Sequence, residues 1–509
     1  MRPILTSAET QALDRAAEER GVPISLLMER AGLAVAHAAV DLVGGAYGRR
    51  VVVLCGKGNN GGDGLVAARY LDRWGMGVTV VLLAEPGEFR SPADENFRLI
   101  QSSQAGGIRW RPFERSVLVR DLDRADVAVD AVFGSGFRGV AEGAHAEAIE
   151  AVVGSGVPVV AVDVPSGVEG DTGLVRGPAV RADVTVTFGA PKLGTVFFPG
   201  AAHAGIVEVA GIGFPEDLVR SDLALVELED VASMIPIREV GDHKRRSGVV
   251  LVVAGSRRMT GAPTLVAEGA YRAGAGLVRV AVPESILPIV QSHVAEATFV
   301  SLPEGPAGSV REAAWDVLAE SLGDVDAVAI GPGLSTDDET PAFVARLVRE
   351  SPVPVVVDAD AINAFAGRAA ELAERTADAV VTPHAGEFGR LFGMPSAEVL
   401  EDRVGFARKA AAETRAVFVL KGPRTLVALP DGEVRVNPTG SPTLATGGTG
   451  DVLTGVIAAY LARGLPAADA ATAGCFVHGL AGDEGSEGMT AGDVARGIPE
   501  AVLEVLRHS

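Results

Sequence analysis

The 509-residue chain carries 45 Lys and Arg against 66 Asp and Glu, a net charge of −21, with 48% hydrophobic residues. That composition excludes wholesale disorder, and a field of that sign excludes nucleic acid and anionic membrane as natural partners. It also repels nucleotides, so any phosphate site must be built from local dipoles, a few lysines or a bound cation. The length suits about three ordinary domains or two large ones.

Met1 to Thr6 meets Glu9 and Asp14 before an apolar signal core can form, and no stretch approaches the roughly 18 uninterrupted apolar residues of a membrane span. A soluble, cytoplasmic protein is expected. Cys55 and Cys475 lie far apart in apolar runs and read as buried free thiols in a reducing compartment.

Runs rich in Val, Ala and Leu at 50–55, 78–83, 127–131, 157–162 and 184–188 predict parallel strands covered on both faces. Between the first two, Asp63 to Trp74 places Leu65, Val66, Arg69, Tyr70 and Arg73 at helix spacing. The alternation predicts a doubly wound α/β sheet.

The first strand runs into a loop from Gly56 to Gly64 with five glycines in nine positions, which lets backbone N–H groups converge at a helix start. Gly56, Gly58 and Gly61 satisfy the dinucleotide spacing, which alone is a weak signal. The nearest acid at a strand end, Glu85, is 29 residues beyond Gly56 rather than about 20. Asp63 would also face a pyrophosphate with no cation between them. A plain dehydrogenase is therefore disfavoured, while the carbonyl oxygens of Asn59 and Asn60 suit a hard monovalent or divalent cation.

Asp130, ahead of the glycine turn Phe133 to Gly139, and Asp163, ahead of Val164-Pro165-Ser166-Gly167, stand at further strand ends. Open α/β sheets bind ligands outside those ends, so Asp63, Asp130 and Asp163 could face one crevice; each alone equally suits a turn or cap. Lys192, in Gly189-Ala190-Pro191-Lys192, offers a positive charge either to that crevice or to solvent.

From Gly211 to Arg246 the pattern degrades through Gly213-Phe214-Pro215, the run Glu227 to Asp230, Pro236 and Gly241, which predicts a junction between domains at 1–220 and 225–509. A second α/β series follows, with strands at 249–253, 277–282, 327–330, 355–357, 379–381 and 417–420.

In that series Thr446-Gly447-Gly448-Thr449-Gly450-Asp451 precedes an apolar stripe of Val452, Leu453, Val456, Ile457, Tyr460 and Leu461. The glycines offer an anion hole for a phosphoryl group, and Asp451 a base for the attacking hydroxyl; a helix cap is the alternative for the same aspartate. Gly331-Pro332-Gly333 makes a close-approach turn, and Asp358 and Asp360 end another strand. In Thr382-Pro383-His384-Ala385-Gly386-Glu387, Glu387 suits magnesium held through water and His384 a substrate contact. Lys421 and Arg424 bring positive charge to the same edge. His478, on an apolar helix, reads as a satisfied core histidine.

These motifs resemble two known families. The first half, about residues 5 to 215, looks like the YjeF N-terminal domain, the NAD(P)H-hydrate epimerase, in Gly58 to Gly64, Asp130 to Gly139, Val162 to Gly167 and Gly189 to Lys192. The resemblance implies a Rossmann-like three-layer domain in which Asn59, Asn60, Gly61, Gly62 and Asp63 contact the hydrated dinucleotide. Gly134, Ser135, Gly136, Phe137, Arg138, Gly139, Val140 and Asp163 would do so too, with potassium held by Asn60, Asp130 and Ser166. Asp163 is the candidate base and Lys192 a candidate acid.

The second half, about residues 240 to 505, is similar to the YjeF C-terminal domain, the ADP- or ATP-dependent NAD(P)H-hydrate dehydratase of the ribokinase-like superfamily. The matching stretches are Ala254-Gly255-Ser256, Gly261-Ala262-Pro263, Gly331 to Leu334, Asp358 to Ala361, Thr382-Pro383-His384 and Gly448 to Asp451. This implies that Ala262, Gly331 or Gly333, His384 and Asp451 contact the hydrate. Lys421, Gly422, Pro423, Arg424, Thr425 and Gly450 would hold the adenine nucleotide, with magnesium. The chain departs from the family at Arg245-Arg246-Ser247, where Gly usually follows the pair matching His243-Lys244. It departs again at Ser441, where Asn is common.

Together the halves predict a fused repair enzyme that epimerises hydrated NADH and NADPH and dehydrates the S epimer, yielding AMP and phosphate when ADP is consumed. The family also suggests a homo-oligomer. The rival readings are a ribokinase-like small-molecule kinase and a non-catalytic nucleotide-binding scaffold.

Overall fold

The computed structural model describes residues 1–102, 107–237, 244–337 and 339–508; Gly241 and His243 lie outside them. Two compact units divide the chain, Pro3–Ser221, and Met1–Arg2 together with Asp222–Ser509. No helix among the described residues is long and apolar enough to cross a membrane.

The short N-terminal strand β1 (Arg2–Pro3) is counted with the second unit's sheet. In Pro3–Ser221, α1 (Ser7–Glu19) and α2 (Ile24–Leu42) precede β2 (Arg50–Cys55), α3 (Asn59–Arg73) and β3 (Gly77–Leu82). The sheet continues through β4 (Arg109–Pro112), β5 (Val127–Ala131), β6 (Val159–Val162), β7 (Val184–Phe188) and β8 (Ile206–Ala210). Its order is β4-β3-β2-β5-β6-β7-β8, and every pairing is parallel. β-Branched residues suit a pleated surface buried on both faces, and Val51, Val53, Val129, Val160 and Val186 pack there against α2 and α3. The order reverses between β2 and β5, so a crevice opens at their carboxyl ends.

Three expectations shift here. α3 begins at Asn59 rather than Asp63, with extended Gly58 as its cap, so Asn59 to Asp63 form its opening turns. β6 starts at Val159, because Pro158 has no N–H for the ladder. The edge strands β4 and β8 escaped the sequence reading because Arg-Trp-Arg-Pro and the Glu208-bearing β8 carry no unbroken apolar run.

The second unit holds β9 (Leu223–Leu225), β10 (Val249–Val253), β11 (Leu277–Pro283), β12 (Thr298–Leu302), β13 (Ala327–Ile330), β14 (Val355–Val357), β15 (Ala379–Val381), β16 (Val417–Leu420), β17 (Leu426–Ala428) and β18 (Val434–Val436). Their order is β1-β9-β18-β17-β16-β15-β14-β13-β10-β11-β12, parallel from β10 to β16, with β17 antiparallel to both neighbours. Here the order reverses between β10 and β13. The helix Thr449–Ala462 is buried along most of its length and packs on Val266, Ala267 and Ala270 of the helix Ala262–Arg272. The stretch 211–246, expected to be a plain junction, contains β9 and the helix Leu228–Met234. Its acidic run is a capping box in which Glu227 N–H donates to Asp230 at 2.8 Å.

Both cysteines are free and buried, and burial pushes the Cys55 thiol up and the Cys475 thiol to about 12. His478 is buried with Nε2 2.8 Å from the Thr449 carbonyl, and burial lowers it to about 4, as a core histidine requires.

The α3 mouth closes tightly on β2: a Cβ on Gly61 would stand 1.9 Å from the Gly56 carbonyl oxygen. Gly61→Ala is expected to destabilise the full-length chain by about 3 kcal/mol, a cost at the upper end for overpacking. Denaturant unfolding checks this, and a stability equal to the parent's overturns it.

Candidate active sites

The crevice of the first unit is a cavity of about 770 Å³. Asn59, Asn60, Asp63, Gly134, Ser135, Gly136, Phe137, Arg138, Asp163 and Lys192 line it, so most of the sequence candidates meet there. Gly61, Gly62, Gly139 and Val140 do not line it. The first two are buried within α3, the Gly139 N–H donates to Glu169 Oε1 at 3.0 Å, and Val140 is exposed.

Lys192 is wholly buried, which removes the solvated-lysine alternative. Its Nζ lies 3.0 Å from Asp163 Oδ1 and donates to Thr187 Oγ1, Phe188 O and Ala190 O at 3.1, 2.8 and 3.1 Å. Asp163, held at φ 66, accepts Ser135 N–H at 3.0 Å and Thr187 Oγ1–H at 3.1 Å. Burial acts to raise the Asp163 carboxyl, but the Lys192 ammonium and these donors outweigh it and hold it below the usual range. Asp63 goes the opposite way: burial first, then Asp163 and Asp14, lift it well above the usual range.

Asp130 does not line the cavity; it sits beneath it, nearly sealed from solvent. Its carboxylate accepts Ser166 N–H at 2.8 Å and Ser166 Oγ–H at 2.6 Å, and Phe133 N–H donates to Ser166 Oγ at 2.8 Å. Asn60 Nδ2 donates to Phe133 O at 2.9 Å, leaving Oδ1 as an acceptor. Asn60 and Ser166 thus meet at the Phe133 main chain, with Asp130 tied to it through Ser166, and burial pushes Asp130 up to about 6 against its hydrogen bonds.

The sequence reading missed much of the cavity wall. Ser7, Thr10, Gln11 and Asp14 of α1 line it, as do Phe133 and His145, which stack with centroids 4.9 Å apart; Phe137 stacks on Phe133 at 4.6 Å. The four α1 positions have helix periodicity, but nothing local says what they face.

In the second unit, the carboxyl ends of β13 to β16 converge on the mouth of Thr449–Ala462. Asp358 Oδ1 accepts Lys421 Nζ–H and Thr382 Oγ1–H, each at 2.8 Å, and its Oδ2 accepts Thr454 Oγ1–H at 2.8 Å. Burial acts to lower the Lys421 ammonium, but Asp358 and Glu387 prevail and raise it. Lys421 therefore points into this carboxylate pair, with Glu387 at 3.7 Å. Arg424 is anchored too, donating to Pro438 O, and Arg403 secures the loop by donating to Pro423 O at 2.6 Å and Arg424 O at 3.1 Å.

Asp451, in the first helical turn, accepts no hydrogen bond from the described residues. Burial, then Asp358, push it up to about 7, against the pull of Lys421. Beside it, the N–H groups of Gly447, Gly448 and Gly450 donate to no described residue. A Cβ on Gly450 would stand 3.6 Å from Lys421 Nζ. At the switch point, a Cβ on Gly331 would stand 1.8 Å from Asp358 O, and one on Gly333 3.1 Å from Ala262 Cβ, so these backbones approach closely.

His384 caps the helix Ala385–Phe392: its Nδ1 accepts Gly386 and Glu387 N–H at 3.0 and 3.3 Å, while about half of the side chain is exposed. Glu387 answers by accepting His384 N–H at 2.9 Å, so its carboxylate is spent on the cap and on Lys421. Among the described residues no cluster of three His, Cys, Asp or Glu could hold a metal ion.

Residues 25–194 match the family described as YjeF-related protein N-terminus, and residues 250–502 match NAD(P)H-hydrate dehydratase; α1 precedes both. The chain is similar, at 45% identity over 97% of its length and 96% of the relative's, to the bifunctional NAD(P)H-hydrate repair enzyme of Moorella thermoacetica. A ribokinase-like superfamily protein of Enterococcus faecalis shares the fold of 56% of the chain (97% of its own) at TM-score 0.50 and 24% identity. The ADP/ATP-dependent NAD(P)H-hydrate dehydratase of Bacillus subtilis, crystallised with ATP and magnesium, is 32% identical at TM-score 0.47, covering 55% of this chain and 97% of that one.

Removing one partner of a buried ion pair leaves the other charge uncompensated, at about 3–5 kcal/mol. Lys192→Met is expected to cost the full-length chain that much, and adding Asp163→Asn to recover part of it. Unfolding of the two variants tests the pairing; equal stability of Lys192→Met and parent rejects it.

Proposed function

The chain belongs to the family of bifunctional NAD(P)H-hydrate repair enzymes, and on that premise we propose that Asp163 with Lys192 serves the epimerisation and Asp451 the nucleotide-dependent dehydration. The family's two activities act in sequence: epimerisation interconverts the R and S hydrates of NADH and NADPH, and dehydration returns the S hydrate to the reduced cofactor.

In the first unit the hydrate's ring enters the cavity, where Phe133, Phe137 and His145 offer flat faces and the α3 mouth offers backbone N–H groups to phosphate. Inverting C6 requires its C–O bond to be loosened and remade, or the ring opened, with proton transfer at the hydroxyl in either case. Asp163, kept ionised by Lys192, is the base of that transfer. Asp130 has no cationic side chain among the groups acting on it; Ser166 donates to it, and Ser166 and Asn60 both bond to the Phe133 main chain. That donor set fits potassium, which when bound supplies a positive charge beneath the anionic dinucleotide.

In the second unit the observation that carries the reading is a carboxyl poised at about 7 beside unpaired amides at a helix mouth. Asp451 takes the proton of the S hydrate's hydroxyl as that oxygen attacks the nucleotide's terminal phosphorus. The Gly447, Gly448 and Gly450 amides receive the phosphoryl charge. Phosphate then leaves C6 with the bonding pair as the C5 proton passes to water or to the departing phosphate and the C5–H pair forms the ring double bond. ADP would yield AMP and ATP would yield ADP. Lys421 orders the Asp358 network beside the base, and Lys421 to Thr425 border the nucleotide. Among the described residues no side-chain cage suits magnesium; the ion would arrive on the nucleotide's phosphates, where it offsets their charge, and meet the protein through water.

A base acts in its ionised form, and the Asp451 carboxyl is raised to about 7. The kcat/KM of S-hydrate dehydration is therefore expected to be flat above about pH 7 and to fall roughly tenfold per pH unit below it. Asp451→Asn should abolish recovery of the dihydronicotinamide absorbance at every pH. Normal turnover by that variant, or an acid limb unchanged in Asp451→Glu, rejects the assignment.

A further inference from the structure

α1 is amphipathic. Leu13 and Ala17 are buried, while Ser7, Thr10, Gln11 and Asp14, at spacing i, i+3, i+4 and i+7, face the cavity. The helix is fixed firmly at its start. Thr6 and Glu9 form a capping box, Ser7 N–H and Oγ–H donate to Asp171 at 2.6 and 2.9 Å, and Leu5 N–H donates to Pro191 O at 2.9 Å, one residue from Lys192. Asp14 is thus delivered to the cavity by a rigid element.

A second observation stands beside it. Asp63 is 8% exposed, lines the same cavity, and its carboxyl accepts no hydrogen bond from the described residues. Such a group, nearly buried and unpartnered, lacks a ligand. The cavity therefore gathers three carboxyls, Asp14, Asp63 and Asp163, around one buried ammonium, and Lys192 pairs with Asp163 alone. Asp163 and Asp14 both act against the ionised form of Asp63, and like charges gathered in one cavity do not all ionise.

We propose that Asp14 is a further catalytic residue of epimerisation, forming with Asp63 a carboxyl pair that holds the proton given to the C6 hydroxyl. The proposal rests on the reading of Asp163 as the base. One carboxyl proton passes to the hydroxyl oxygen, the C6–O bond breaks with its pair leaving on water, and the ring nitrogen's lone pair becomes the N1–C6 π bond. On the other face a water oxygen forms the new C6–O bond, the π pair returns to nitrogen, and the water's proton passes to Asp163. The proton returns to the pair through solvent. Burial raises the Asp14 and Asp63 carboxyls, against Lys192 in the case of Asp14, in keeping with a protonated pair.

The test uses the full-length chain, mixed hydrate epimers and excess nucleotide. Absorbance recovery then has a fast phase from the S hydrate and a slow phase limited by epimerisation. Asp14→Asn is expected to lower the slow-phase kcat by about 100-fold or more, the scale of lost acid–base catalysis, with KM for the R hydrate little changed. Asp14→Glu, which keeps the carboxyl, is expected to recover about tenfold of that loss. A slow-phase kcat within about twofold of the parent, a loss confined to KM, or Asp14→Glu no better than Asp14→Asn overturns the proposal. Asp163→Asn, run in parallel, separates the two readings. If its slow phase persists, the Asp163 base is wrong; if its slow phase vanishes while that of Asp14→Asn persists, only the role of Asp14 falls.

Discussion

A carboxylate taken out of water must find a cation or accept a proton, and both halves of this protein are organised around that choice. In each unit one lysine at the carboxyl edge of a sheet pairs with a buried aspartate: the wholly buried Lys192 with Asp163, and the partly buried Lys421 with Asp358. Neighbouring acids are left without a cation of their own. Asp163 is held ionised while Asp63 and Asp451 are pushed toward the neutral form by burial and by nearby acids. Groups of the same chemical type thereby acquire opposite protonation tendencies.

The fold makes that pairing possible. In both sheets the strand order reverses inside the sheet, between β2 and β5 in the first and β10 and β13 in the second, so the carboxyl ends diverge and leave a crevice with a helix mouth beside it. Glycine carries the closest approaches there: Gly61 against the Gly56 carbonyl in the first unit, Gly331 against the Asp358 carbonyl in the second. Strain gathers at the same edge, with Asp163 and Ala359 both at positive φ. The helix-mouth amides and the perturbed acids share one rim because helices begin where strands end.

The two units differ in how they meet the net charge of −21. The first buries a carboxylate, Asp130, on hydrogen bonds from Ser166 with no cationic side chain acting on it. The second spends Asp358 and Glu387 on Lys421 and on a helix cap, and the amide N–H groups of Gly447, Gly448 and Gly450 donate to no described residue. Glu387 illustrates the contrast, since the residue that suited magnesium in the sequence is consumed by the His384 capping box.

Much of this was legible in the chain itself. Valine-rich runs announced the central strands, and the clusters Gly58 to Gly64 and Gly447 to Asp451 marked the helix mouths, because close backbone approach demands glycine in consecutive sequence. The polar edge strands β4 and β8, the hidden strand β9 and the four-residue polar face of α1 were not legible. Each is defined by a partner distant in the chain: a neighbouring strand, a capping acid, a cavity. The sequence by itself determined which acids and amides lie at strand ends, for those motifs are local. Only the tertiary structure decided which acid keeps its charge, because desolvation and the reach of a single lysine depend on what the fold packs around each carboxyl.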